Sequence, residues 1–204
     1  MRAVYRVIDD LLAVARFRPA SLAHYQYPRW ACALLLTVLA LFDSANTAEM
    51  GSNVVGRILF TLLFTWLFIL LLVQFMGVWL RMAHWKPDGS LFGLIVLTKG
   101  VLFIEPLASW LPDDVEAGLV LLMSLWWAAI LVHALATVSG VGRLRVALGL
   151  IMFSPLAVIA MVLSLQVGVS MKWISVPEDI MNPAASASQE SATLPSAAED
   201  KSDL

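Results

Sequence analysis

The run LFGLIVLTKGVLFIEPLASW, Leu91 to Trp110, is long enough to cross a bilayer, for which roughly 20 apolar residues suffice. Yet Lys99, Glu105 and Pro106 stand inside it. An ionisable side chain at that depth is expensive and needs a partner or a water-filled cavity. The other apolar runs then read as walls around this helix. The expected fold is all-α: a polytopic membrane helix bundle with five transmembrane helices.

Composition agrees that lipid is the solvent. Hydrophobic residues make up 60% of the 204 and charged ones 14%, with a mean hydropathy of +0.84. Soluble domains lie nearer about 45–50% apolar. A net charge of −2 is uninformative for nucleic acid, and no dense basic cluster points to it, so no nucleic-acid partner is expected. The single cysteine, Cys32, allows no intramolecular disulfide and lies in an apolar run, where it reads as packing. No two histidines stand at metal-ligand spacing, no glycine loop is built for phosphate, and no serine sits in a nucleophile motif. No cofactor, no metal and no catalytic residue is predicted, and the chain is not expected to be an enzyme.

Three regions follow from the distribution of apolar residues. Residues 1–28 form a cytoplasmic amphipathic segment, 29–174 a five-span membrane domain, and 175–204 a disordered tail outside the cytoplasm. Asp9, Asp10, Arg16 and Arg18 break up any secretory signal, so the mature chain is expected to start at or near Met1. Residues 2–18 read as a helix with Val4, Ile8, Leu11, Leu12 and Ala15 on one face and Arg6, Asp9, Asp10 and Ala13 opposite. Pro19 stops it. Such a helix either lies on the membrane surface or packs on the bundle.

The spans read as Trp30 to Phe42 (extended by its flanks to about Tyr27 and Thr47), Ile58 to Leu80, Leu91 to Trp110, Gly118 to Val138, and Val146 to Val169 with Pro155 inside. Between them lie a polar loop from Asp43 to Arg57, a turn at Pro87 to Ser90, an acidic loop from Leu111 to Ala117, and a basic turn from Ser139 to Arg145. This alternation puts nine Lys and Arg on one side and three on the other. The positive-inside rule then places the N-terminus in the cytoplasm and the C-terminus outside.

Counted from the cytoplasmic ends, Gln74, Lys99, His133 and Ser154 reach similar depths and define one polar layer. Thr65, Glu105 and Ser124 define a second. Lys99 and Glu105 are about 9 Å apart along the axis and about 120° apart around it, poor geometry for a direct pair. The candidate intramembrane polar site is Gln74, Lys99, Glu105, Pro106 and His133. These residues read either as steps in a proton or ion path or as polar glue between helices, with Lys99 snorkelling toward cytoplasmic headgroups. No acid besides Glu105 is assigned to a span interior, which favours glue.

The order of elements resembles the Yip (Ypt-interacting protein) family of five-pass membrane proteins, in its bacterial branch. The likeness rests on GSLFGLIVLTKGVLFIEPL, Gly89 to Leu107, with its Pro106–Leu107 pair, on WWAAILVHALATVSGVGRLRVAL, Trp126 to Leu148, and on Pro155. It implies a non-catalytic component of membrane organisation that works with membrane lipids, a membrane-protein partner or a second copy of itself. The Asp-Leu-x-Gly-Pro motif of eukaryotic members is absent, and Gly100 is followed by Val101 where those members carry tyrosine. Both departures argue against binding a small GTPase. The alternative function is a small proton- or ion-coupled transporter using Lys99, Glu105 and His133.

Overall fold

A computed structural model describes residues 2–45, 52–86, 88–103 and 113–175. Every regular element in them is helical: α1 (Arg2–Ala15), a short 3-10 turn (Leu22–Tyr25), α2 (Arg29–Ala45), α3 (Val54–Arg81), α4 (Phe92–Lys99), α5 (Asp113–Ser139) and α6 (Arg143–Ser170). A 3-10 turn over 100–103 continues α4. Among the described residues three helices are long and apolar enough to cross a membrane: α3, the Gly118–Ser139 part of α5, and α6. Two shorter apolar helices, Trp30–Ser44 and Phe92–Phe103, accompany them. The later part of the predicted third span and the tail from Val176 onward lie outside the described residues.

Several boundaries move. Val54 to Arg57, assigned to a loop, begins α3, because Asn53 caps it: its Oδ1 accepts from the Gly56 N–H at 3.0 Å. Asp113 to Ala117, assigned to the acidic loop, opens α5. The basic turn shrinks to residues 140–142, with Gly140 at a φ of 67° that glycine adopts without strain. Pro155 is accommodated inside a continuous α6.

The bundle is apolar outside as well as inside. Leu63, Leu67 and Leu70 on α3, Leu121 and Leu125 on α5, and Ile151, Val158 and Ile159 on α6 are all exposed. In water such a surface would aggregate, whereas in lipid it is the solvated surface.

Helices α3 and α6 run antiparallel and are fastened at both ends. At one end the Asn53 side chain donates to the Lys172 carbonyl at 3.1 Å, and Gly56 lets the Trp173 backbone come close. At the other, Trp79 Nε1 donates to the Arg145 carbonyl at 2.9 Å, and Arg145 donates to the Met82 carbonyl at 3.2 Å. Between the two ends, Phe153 of α6 packs against Phe68 and Phe75 of α3, ring centroids 5.5 and 5.6 Å apart.

Helix α4 is enclosed by four helices, whereas α6, expected as a further wall around it, packs mainly on α3 and α5. Residues Gly93 to Thr98 are all buried, and α1, α2, α3 and α5 surround them. Lipid tails are as apolar as leucine, so close packing rather than water exclusion holds such a helix. Gly93 serves that packing: a side chain there would strike the Tyr25 carbonyl.

The fourth wall, α1, corrects the sequence reading in orientation. It packs on the bundle with Val7, Leu11 and Val14 inward, and Leu11 lies over Gly100. Ile8 and Leu12, expected on the apolar contact face, are 49% and 45% exposed. Asp10, expected on the polar face, is turned inward and holds this rotation. It accepts hydrogen bonds from the Tyr27 hydroxyl, and its Oδ1 lies 2.8 Å from His24 Nε2. Arg6 donates to the His24 carbonyl at 3.0 Å and lies over the Tyr27 ring.

Candidate functional site

Lys99 is the last residue of α4 and Asp43 lies in the last turn of α2. Their side chains form an ion pair at 3.0 Å. Thr65 of α3 adds a hydroxyl donor to the same Asp43 Oδ2 at 3.3 Å. Each charge answers a local need. A lysine suits the negative C-terminal end of its own helix, whereas an aspartate at the end of α2 is unfavourable until a cation joins it. Three helices meet at one carboxylate.

The pair borders a cavity of about 480 Å3. Every helix from α2 to α6 contributes to it. Asp43, Lys99, Thr61, Thr65 and Ser124 are its polar residues; Phe60, Phe64, Phe68, Trp127, Met161 and Leu165 supply much of the apolar wall. The Trp127 Nε1 is buried and makes no hydrogen bond among the described residues. The Lys99 and Asp43 side chains keep 15% and 28% of their exposure, so the ion pair faces this space. A low-dielectric wall strengthens such a pair relative to water.

The predicted polar layers do not assemble as such. Lys99 does not snorkel toward the basic end of the bundle; its ammonium pairs with Asp43 at the opposite end of α2. His133 does not line the cavity. Its Nε2 lies 3.1 Å from the Phe17 carbonyl, and the Phe17 ring packs edge-on against it. Gln74 and Ser154 are exposed on the outer faces of α3 and α6. Lys99 instead joins Thr65 and Ser124, two members of the other predicted layer. Glu105 and Pro106 lie outside the described residues.

Asp43 is the residue that sequence reasoning missed. The apolar run stops at Phe42, so Asp43 reads as the first residue of a loop. The available signal is length: thirteen or so apolar residues are too few to cross, and a span extended to reach the far surface must include Asp43. It is then an acid at the end of an apolar helix, opposite in charge to Lys99.

Among the described residues no group of three His, Cys, Asp or Glu side chains converges to hold a metal ion. No protein-family model, curated protein or solved structure matches the chain, so the site is argued from its own geometry.

Proposed function

We propose that the chain is a five-span integral protein of the inner membrane with a non-catalytic role, binding lipid or protein partners. Its likeness to the Yip family belongs to the same reading and rests on the sequence pattern quoted above. The observation that carries the proposal is the pairing of the intramembrane charges. Lys99 is neutralised by Asp43 across α2 and α4, and His133 is engaged by Phe17 elsewhere in the bundle. Ionisable groups joined to separate partners hold helices together, which supports a structural role for these charges.

A second reading, a proton- or ion-coupled carrier, is favoured by one observation: the ion pair faces a cavity. Proton flux into liposomes containing the purified protein separates the two. The first reading expects flux no greater than in empty liposomes, and expects the exchanged pair Asp43→Lys with Lys99→Asp to fold. A proton leak that needs the protein and disappears in Asp43→Asn would establish the carrier.

A further inference from the structure

Trp66, Leu70, Gln74, Gly77 and Arg81 line one face of α3 at spacings of three and four residues. Most of this stripe walls a groove of about 700 Å3, faced by Cys32 and Ala33 of α2 and by Phe92 and Gly93 of α4. A hollow of about 260 Å3 continues it past Gly77, Arg81, Trp85 and Ser90. The two spaces share Val73, Gln74 and Ser90. Leu70 and Val78 are 45% and 55% exposed, so the groove opens sideways. A Cβ added at Gly77 meets no atom within 4 Å, so nothing of the protein fills the space above it.

The dimensions and chemistry select an occupant. From Trp66 to Arg81 the stripe rises about 22 Å, half of the roughly 40–45 Å of a bilayer with its headgroups. Its polarity is graded. Trp66, Leu70 and Phe92 make an apolar floor, Gln74 offers an amide at intermediate depth, and Arg81 offers a guanidinium at the end. Arg81 and Gln74 are both exposed, and no described residue pairs with either side chain. Trp85 stands beside Arg81 in the hollow, at the depth where tryptophan meets headgroups. Arginine's planar fork matches a phosphate bidentately.

We propose that this groove holds one anionic glycerophospholipid of the leaflet at the basic end of the bundle. Its phosphate sits at Arg81, an ester carbonyl at Gln74, and an acyl chain along Leu70, Trp66 and Phe92. The site shares no lining residue with the Asp43–Lys99 cavity. The inference rests on the chain spanning a bilayer and is independent of the roles given to Lys99 and Asp43.

Native mass spectrometry of the full-length protein, titrated in mild detergent with phosphatidylglycerol or phosphatidylcholine, tests it. The wild type retains one phosphatidylglycerol in preference to phosphatidylcholine. Arg81→Gln weakens that retention roughly tenfold, the loss of one charge-assisted phosphate contact. Gly77→Leu puts a side chain into the open groove and abolishes retention. Lys86→Gln, a cation that lines neither space, leaves it unchanged. Gln74→Leu weakens retention severalfold and reads the same groove if Gly77→Leu does not fold. Retention undiminished in Arg81→Gln, an equal loss in Lys86→Gln, or no preference for phosphatidylglycerol overturns the site. A protein that inserts in membranes yet shows any of these results leaves the spanning fold standing. Failure to partition into membranes at all removes both.

Discussion

Asp43 and Lys99 each stand where a lone charge is costly, and each is tolerable because the other is there. Replacing Lys99 with Met leaves an uncompensated carboxylate and is expected to lower stability by about 3 kcal/mol. Asp43→Asn strands the ammonium and acts in the same direction. The double variant Asp43→Asn with Lys99→Met removes both charges and recovers more than half of the loss. Thermal unfolding in mild detergent measures all three; simple additivity would show that the pair does not interact. At this scale the sequence discloses that a charge is enclosed but not what it meets. Lys99 stands out as a charge inside an apolar run, whereas its partner hides at the edge of one. Gln74, His133 and Ser154 count to Lys99's depth, yet Lys99 joins Asp43, Thr65 and Ser124 instead, because counting residues fixes neither where a helix sits along its neighbours nor which way a side chain faces.

Helix α1 carries apolar residues on two adjacent stripes, and hydropathy alone does not choose between them. The choice is made by Asp10, which needs the Tyr27 hydroxyl and His24 and so turns Val7, Leu11 and Val14 onto α4. This docking has an alkaline limit. Burial and the charge of Asp10, with for Tyr27 also its hydrogen bond to Asp10, raise the pKa of Tyr25 and Tyr27 above their ordinary 10.0. A raised pKa favours the neutral phenol in the folded state. The stabilisation is therefore complete below pH 10 and is lost as the pH climbs through the raised values. Tyr27→Phe is expected to cost about 1 kcal/mol near neutrality and to flatten the fall in melting temperature between about pH 9 and about pH 11. An equally steep fall in that variant would place the alkaline sensitivity elsewhere. Glycine contacts give a second check on how α4 is enclosed. Gly93→Ala strikes the Tyr25 backbone and should destabilise by about 2 kcal/mol. Gly100→Ala meets only the flexible end of Leu11 and should cost much less.

Across the whole molecule, the ties between α3 and α6 define two ends. Asn53 and Lys172 mark one, and Trp79, Met82 and Arg145 mark the other. The second end is the one rich in basic residues, where the sequence places the cytoplasm. An alkaline-phosphatase fusion after Leu204 is therefore expected to be active and a green fluorescent protein fusion dark; the reverse would mean an even number of crossings. The long apolar helices were legible from hydropathy. Helix α1's place as a wall of the bundle was not, because a half-apolar helix fits a membrane surface and a protein groove equally well. The order of synthesis gives the Asp43–Lys99 pair a further consequence. A lysine inside an apolar segment opposes its release into the bilayer, by up to about 2.5–3.5 kcal/mol at a helix centre. Asp43 leaves the ribosome first, so its carboxylate is already waiting at the channel when the Lys99 segment arrives. Asp43→Asn should then delay integration of that segment in a coupled translation and membrane-insertion assay, while reversing the delay requires Lys99→Met and not a slower ribosome.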